Sequence, residues 1–502
     1  MFESAEMGHA IDKATFNRRV PKLRESLLNA QLDVLVTKKF PVLVLINGVE
    51  GAGKGETAHV LSEWMDARHI ITHGFGEHTD EERVRPPMWR FWRALPPKGK
   101  LGLFFGSWYS DPILDRVVGT QKHGAFEDQL DRIVNLEQML TDEGVALVKL
   151  WFHLSKAVQK KRLLGLERDK ATRWRVTERD WEFFAKYDEF KSVSESVIRR
   201  TSTGHAPWHI IEGTDARYRS LTSATLLLDA MNGRLEQVRA SAQQKKQEPD
   251  ATVRRATPVT PELDHKNLVN QIDLAQELTK KKYESKLDKL QGELNRLSRH
   301  KRMKNIGVVC VFEGSDAAGK GGAIRRIVHA LDVRSYHVVP IAAPTDEERA
   351  QPYLWRFWRH MPRKGKVTIF DRSWYGRVLV ERVEGFAKES DWRRAFSEIN
   401  DFEEQLAESN LVVCKFWLQI GKDEQLRRFK EREKTGFKRF KITDEDWRNR
   451  KQWGAYETAA AEMVDRTSTE HSPWTLVAAQ DKYHARIHVL EELVSRISEA
   501  LG

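Results

Sequence analysis

One module occurs twice in this chain, at a constant offset of 266 residues. Lys54 maps onto Lys320, Trp89 onto Trp355, Ser107 onto Ser373, Trp151 onto Trp417, Trp181 onto Trp447, Thr201 onto Thr467 and Trp208 onto Trp474. Between Thr79–Tyr109 and Thr345–Tyr375, 19 of 31 aligned residues are identical. A solenoid repeats every 20–50 residues or so, and this period is several times longer, so the pattern is a domain duplication. It predicts an N-terminal domain over 1–232, a linker over 233–270 and a C-terminal domain over 271–502, each domain long enough to bury its own core. The linker reading rests on the Gln-, Lys-, Pro- and Thr-rich run from Gly233 to Lys266.

Within each copy, short β-branched runs alternate with longer amphipathic segments, which is the pattern of parallel βαβ units. The strand candidates are Val42–Ile46, His69–Ile71, Leu101–Phe105, Ala146–Phe152 and His209–Ile211, then Gly307–Phe312, Tyr336–Ile341, Val367–Phe370, Leu411–Leu418 and Thr475–Ala479. Five strands with helical crossovers predict a three-layer α/β/α domain, made twice. Leucines 287, 290, 294 and 297 lie at helical spacing in Leu278–Arg302, a helix expected to pack on its own domain, as Phe16–Leu32 does in the first copy.

Composition narrows the class of protein. The chain is 40% hydrophobic and 31% charged, ordinary for a globular protein. No run of 18 apolar residues predicts a membrane span, and the first residues lack the basic-then-apolar pattern of a signal peptide. Cys310 and Cys414 sit in apolar strand-like runs, which predicts buried, reduced thiols and a cytoplasmic location. The net charge of +11 suits a polyanionic partner. Basic residues of the second copy gather near its motifs, among them Arg325, Arg326, Arg349, Arg356, Arg359, Arg363, Lys364, Lys366 and Arg382.

The motifs name the chemistry. Gly314–Gly322 reads GSDAAGKGG directly after an apolar run, with the G-x-x-x-x-G-K spacing of a phosphate-cradling loop. Gly314, Ala318, Gly319, Gly321 and Gly322 would let backbone N–H groups and a helix N-terminus close on phosphate, with Lys320 adding a point charge. Gly321 stands where such loops commonly carry a Mg²⁺-binding hydroxyl, so a metal would need carboxylates, and Asp316 and Asp371 are the candidates. Asp316 could instead cap a turn, and Asp371 a helix. Asp371–Val383 (DRSWYGRVLVERV) adds Arg372 and Arg377, guanidinium groups suited to equatorial phosphate oxygens. Trp374 and Tyr375 recur in the first copy and read as packing residues, while Glu381 and Arg382 read as an ion pair. The basic stretch Arg427–Lys441 predicts a helical lid with Arg432 facing the substrate. Trp355–Arg359 (WRFWR), duplicated at Trp89–Arg93, reads as structural or polyanion-lining, with Arg356, Lys364 and Lys366 as binding candidates.

The copies differ where the charge lies. Asp316 aligns with Glu50, Asp371 with Phe105, Arg372 with Gly106, Arg377 with Asp111 and Arg432 with Leu166, whereas Lys320 is kept as Lys54. This predicts a catalytically silent N-terminal domain, still able to hold polyanion through Lys54, Arg90, Arg93, Lys98 and Lys100.

Taken together, GSDAAGKGG, TDEERAQPYLWRFWRHMPRKGK, FDRSWYGRVLVERVEGF and finally WRNRKQWGAYE with RTSTEHSPW resemble the polyphosphate kinase 2 family over almost all of Leu278–Leu501, and more weakly over Phe16–Asp229. The fused pair resembles the subclass acting on AMP. The resemblance implies Mg²⁺ (or Mn²⁺) and, as substrates, polyphosphate and AMP. It makes Asp316 and Asp371 the essential carboxylates, Lys320 the loop lysine, Arg372 and Arg377 phosphate clamps and Arg432 the lid arginine. It implies neither nucleic-acid nor membrane binding, and a monomer or homo-oligomer in which the two domains form a pseudo-dimer. An ATP-dependent nucleoside monophosphate kinase, a kinase of nucleoside diphosphates and a nucleic-acid-binding phosphate-loop protein stay open as alternatives.

Overall fold

A computed structural model describes residues 1–247, 266–436 and 442–502. Residues 248–265 of the expected linker and residues 437–441 of the basic stretch lie outside the described residues, while residues 233–247 of the expected linker instead continue helix Ala216–Gln247, with Leu235 buried in the first core. Two compact units emerge. One comprises the described residues of Met1–His78, Arg90–Asp250 and Thr345–Trp355, and the other those of Thr79–Trp89, Ala251–Pro344 and Arg356–Gly502. Each unit therefore includes a short stretch of the other repeat. In the first, Lys98 N–H donates to Ala350 O (2.8 Å) and Gln351 Nε2 to Leu95 O (3.1 Å). In the second, Lys364 N–H donates to Val84 O (2.9 Å), and Glu81 pairs with Arg85 (2.6 Å) and with Arg363.

Each unit holds one five-stranded, all-parallel sheet. In the first, β1 (Val42–Gly48), β2 (Ile70–Gly74), β3 (Leu101–Phe105), β4 (Ala146–His153) and β5 (Trp208–Glu212) take the order β2-β3-β1-β4-β5. In the second, β6 (Gly307–Gly314), β7 (Tyr336–Pro340), β8 (Val367–Asp371), β9 (Leu411–Gln419) and β10 (Trp474–Ala478) repeat it as β7-β8-β6-β9-β10. All ten expected strands are present. β2 starts at Ile70 because His69 closes a 3-10 turn over Ala67–His69, capped by the Asp66 side chain. In each sheet the chain moves outward to opposite sides of the first strand, and such a switch point opens a crevice at the carboxyl edge.

Strand alternation sorts side chains between two helical layers. Along β9, Cys414, Phe416 and Leu418 enter a core made with helices Lys280–Ser298, Lys320–Ala330 and Lys482–Leu501. Leu290 and Leu294 are buried in this core, with Leu287 and Leu297 packed against it, so that helix does serve its own domain. Cys310 and Cys414 are free, buried and opposite each other on β6 and β9. Among the described residues no helix is long and apolar enough to cross a membrane.

The opposite face of β9 carries Lys415, fully buried and 2.7 Å from the equally buried Glu403 on helix Glu389–Glu408. Trp374 Nε1 (2.9 Å) and Tyr375 OH (2.7 Å) donate to the same Glu403 oxygen. Lys415 also donates to Thr467 O (2.6 Å), and the Thr467 hydroxyl accepts from Trp474 Nε1 (2.9 Å). The first unit repeats every member: Lys149, Glu137, Trp108, Tyr109, Thr201 and Trp208. Trp374 and Tyr375 are packing residues, as expected from their duplication, and each also serves as a hydrogen-bond donor. Removing one partner leaves an uncompensated buried charge, so Glu403→Gln should destabilise the second unit by roughly 3–5 kcal/mol. The double change Glu403→Leu with Lys415→Met should cost far less. Calorimetric unfolding of the two variants checks this, and equal losses would contradict it.

Candidate functional site

The loop after β6 is built for close backbone approach. Gly314 has φ +138°, and a Cβ there would lie 2.3 Å from Leu418 O. Gly319, at φ +116°, leads into helix Lys320–Ala330, whose first N–H groups point at the loop. Two braces hold the loop from below. Arg428 Nη1 donates to Ala317 O (3.0 Å) and Ala318 O (2.9 Å), and its Nη2 donates to Ala479 O and Gln480 O (both 2.8 Å). Gln425 Nε2 donates to Asp316 O (3.2 Å). The first unit keeps both braces, with Arg162 on Gly51 O (2.6 Å) and Gln159 on Glu50 O (3.0 Å).

Most of the expected site residues meet at this edge. Lys320 Nζ rests on Gly314 O (2.6 Å). Asp316 does not cap a turn with its carboxylate: Oδ1 faces Arg372 Nη2 at 3.2 Å and Oδ2 accepts from Asn449 Nδ2 at 2.9 Å. Asp371 ends β8 and does not cap a helix, because Ser373 caps the following 3-10 turn. The Asp371 carboxylate makes no side-chain hydrogen bond among the described residues. Burial disfavours the Arg372 charge, but Asp316, Glu313, Glu445 and Asp371 outweigh it and raise the Arg372 pKa. Arg377 Nε lies 2.8 Å from Glu381, whereas Arg382 pairs with Glu462 at 2.6 Å, so the expected Glu381–Arg382 pair does not form. Arg356 Nη2 reaches Ala342 O (3.0 Å), just past β7, on the same edge.

Lys364 and Lys366 are not brought to the loop. They precede β8, and Gly365 N–H donates to Ile306 O (2.6 Å) just before β6, which places this stretch at the amino edge. Five residues of strand put roughly 16 Å between Lys366 and Asp371, and Lys366 Nζ is engaged by Arg334 O (2.8 Å). Of the basic stretch, residues 427–434 end helix Lys422–Lys434. Arg427 pairs with Glu424 (2.6 Å), whose carboxyl is lowered to about 2 by Arg427 first and by Arg428 too, against the effect of burial. Arg432 sits one turn beyond Arg428 on the same helix face.

Three further residues escaped the sequence reading. Arg428 and Gln425 are scaffold, present in both units. Glu313 is different: it is the next-to-last residue of β6, buried, and accepts from Ser373 Oγ (2.8 Å). The first unit has Asn47 there, donating to Ser107 (2.9 Å). Its only sequence signal was the mismatch between copies, one residue ahead of the motif.

The first unit's loop is occupied by its own side chains. Glu50 lies 2.9 Å from Lys54 Nζ, which also donates to Gly48 O (2.7 Å) and Val49 O (3.2 Å). Arg90 bonds Gly76 O (3.2 Å) past the end of β2, as Arg356 bonds Ala342 O, whereas Lys98 bonds Arg349 O (3.0 Å) and Lys100 bonds His69 Nδ1 (2.7 Å), so these two lysines do not converge on the loop. Backbone strain follows the same division. Arg372 (φ +66°) and Ala317 (φ +64°) adopt left-handed conformations, and their counterparts are Gly106 (φ +78°) and Gly51 (φ +76°). The strain is worth about 1–2 kcal/mol per residue and is found at functional sites.

Burial pushes the Glu313 carboxyl above the usual range, although Lys320, Ser373 and Arg372 pull it down. Its folded pKa exceeds the unfolded one, so its contribution to stability is complete below the unfolded value and is lost as pH rises through the folded value. Glu313→Gln cannot titrate and keeps an acceptor for Ser373. Its melting temperature should therefore gain on the wild type as pH climbs above about 4.3. Parallel melting curves for the two proteins between acid and neutral pH would refute the assignment.

The sequence profile described as Polyphosphate kinase 2 (PPK2) matches residues 10–239 and again 277–501, covering both copies. Over 500 residues the chain is 53% identical to a polyphosphate:AMP phosphotransferase of Pseudomonas aeruginosa, covering 100% of this chain and 99% of that one. A second polyphosphate:AMP phosphotransferase, from Pseudomonas syringae pv. tomato, is 53% identical over 502 residues with the same coverage. The crystal structure of a polyphosphate kinase 2 from Pseudomonas aeruginosa superposes with a TM-score of 0.88 at 51% identity, over 100% of this chain and 99% of that one. With the fold, the duplicated loop and both halves of the sequence in agreement, the chain belongs to the polyphosphate kinase 2 family.

Proposed function

We propose that the C-terminal unit transfers the terminal phosphoryl group of inorganic polyphosphate to AMP, yielding ADP and a chain shorter by one phosphate. The observation that carries this reading is the 53% identity, spanning both copies, to two proteins named for that reaction. Phosphoryl transfer asks mainly for positioning and charge neutralisation. The end of polyphosphate would lie on the loop N–H groups and the helix N-terminus, with Lys320 at hand for its oxygens. Arg372 and Arg377 face the same edge, and Arg432 would approach from the helix that braces the loop. A phosphate oxygen of AMP then attacks the terminal phosphorus in line, and the bond to the bridging oxygen breaks with its electron pair leaving on the shortened chain.

The donor set suits a hard cation. Asp371, at the end of β8, and Asp316, within the loop, offer only oxygens. That matches Mg²⁺, which needs one or two carboxylates and takes waters and phosphate oxygens for the rest. Asp371 and Asp316 would hold Mg²⁺ (or Mn²⁺), which when bound neutralises phosphate charge. Free, buried thiols accord with a cytoplasmic enzyme.

The N-terminal unit, with Glu50 on its lysine and Phe105 in place of Asp371, is read as catalytically silent. A matrix of donors (polyphosphate, ATP) and acceptors (AMP, GMP, ADP) tests the whole. ADP should form fastest from AMP with polyphosphate, and a preference for ATP would overturn the substrate assignment. Lys320→Ala and Asp371→Asn should lower kcat by about 100-fold or more, while Lys54→Ala leaves it nearly unchanged. Near-normal turnover by Asp371→Asn would remove that residue from the site.

A further inference from the structure

Asp316 is the loop carboxylate, and residues far from the loop in sequence hold it. Asn449, on helix Asp444–Lys451, donates Nδ2 to Asp316 Oδ2 at 2.9 Å. The other end of that amide, Oδ1, lies 3.0 Å from Tyr456 OH. The same hydroxyl is 3.4 Å from Glu384 Oε1, and Glu384 also accepts from Gln452 Nε2 (2.9 Å) and faces Arg448 Nε (2.6 Å). The Glu384 side chain is only 6% exposed.

A phenol has one proton to give. Burial, with the charges of Glu384 and Asp316, raises the Tyr456 pKa, so the hydroxyl stays a donor. Its shorter contact is to Asn449 Oδ1. A donor on Oδ1 fixes which way the amide is turned, and the turned amide must present its NH₂ to Asp316. Reversed, it would set a carbonyl oxygen against a carboxylate oxygen.

The duplication supplies an internal control. Residues that brace the scaffold recur in both units: Glu403 as Glu137, Lys415 as Lys149, Arg428 as Arg162 and Gln425 as Gln159. The chain leading to Asp316 recurs nowhere in the first unit. Asn449 aligns with Phe183, Tyr456 with Phe190, Glu384 with Val118, Arg448 with Glu182 and Gln452 with Lys186. It has gone together with Asp316, Asp371 and Arg372, and the fold did not need it.

We infer that Tyr456 and Asn449, on helices that Glu384 ties together through Arg448 and Gln452, are positioning residues that hold the Asp316 carboxylate in its working orientation through one directed pair of hydrogen bonds. The inference rests on the assignment of Asp316 to the transfer site. Tyr456→Phe is the sharpest probe, because it deletes one oxygen and the first unit folds with Phe190 at the equivalent place. Tyr456→Phe and Asn449→Leu should each lower kcat for polyphosphate with AMP by about 10–100-fold, with KM for AMP within about twofold and the melting temperature unchanged. Because the hydroxyl acts through the amide, the double variant should be no slower than Asn449→Leu alone. In a crystal structure of Tyr456→Phe, the Asn449 amide should be reoriented and Asp316 released from it. An unaltered kcat in Tyr456→Phe, multiplying effects in the double variant, or an Asn449–Asp316 contact that survives loss of the hydroxyl would each overturn the inference. A wild type inactive with polyphosphate would instead sink the substrate reading, and the crystal structure would still decide this one.

Discussion

The interaction on which the site depends is a lysine and a glutamate with no access to water. Two charges of opposite sign are expensive to bury, and they stay charged only when every remaining proton and lone pair is used. Lys415 and Glu403 meet that condition by recruiting Trp374, Tyr375 and the carbonyl of Thr467. Because Trp374 and Tyr375 directly follow Asp371, Arg372 and Ser373, the pair fixes where β8 ends and where its charged residues emerge. Ser373 then reaches Glu313 near the end of β6, and Arg372 reaches Asp316 within the loop. Four strands and two helices are thus registered against one another by a handful of directed polar contacts inside an otherwise apolar body.

The two units apply the same scaffold to different ends. Arg162 and Arg428 grip loop carbonyls alike, and both buried ion pairs are intact. What separates the units is the inventory of charges that face an incoming anion, and the polar residues that hold those charges still. In the first unit Glu50 answers Lys54 within the loop, so the cation is neutralised by its own chain. In the second, Asp316 is turned the other way, toward Arg372 and Asn449, leaving Lys320 on backbone carbonyls.

Much of this was legible in the sequence because it is local. Strand periodicity, the glycine spacing of the loop and the Asp-Arg-Ser-Trp-Tyr run are all written in consecutive residues. Reading one copy against the other marked Trp374 and Tyr375 as packing residues, and both are buried. What remained hidden depends on long-range proximity. Arg428 lies more than a hundred positions from the loop carbonyls it grips, and Asn449 lies 133 positions from Asp316. Glu384 and Tyr456 lie within motif runs, but nothing in those runs says that they meet Asn449 beside Asp316. Lys364 and Lys366 misled for the opposite reason: they are close in sequence to Asp371, but a strand carries its two ends to opposite edges of the sheet.

The left-handed backbone at Arg372 has a consequence for how such duplicates age. An arginine held there works against its own preferred conformation, and glycine relieves it, as Gly106 does in the first unit. The first step of decay at this position is therefore downhill in free energy as well as in selection for activity. The return step would have to reinstate a strained arginine beside a loop carboxylate, Glu50, that already answers Lys54. Once a copy has slipped, it becomes a stable scaffold whose lost site is shut off by a ratchet built into a single torsion angle.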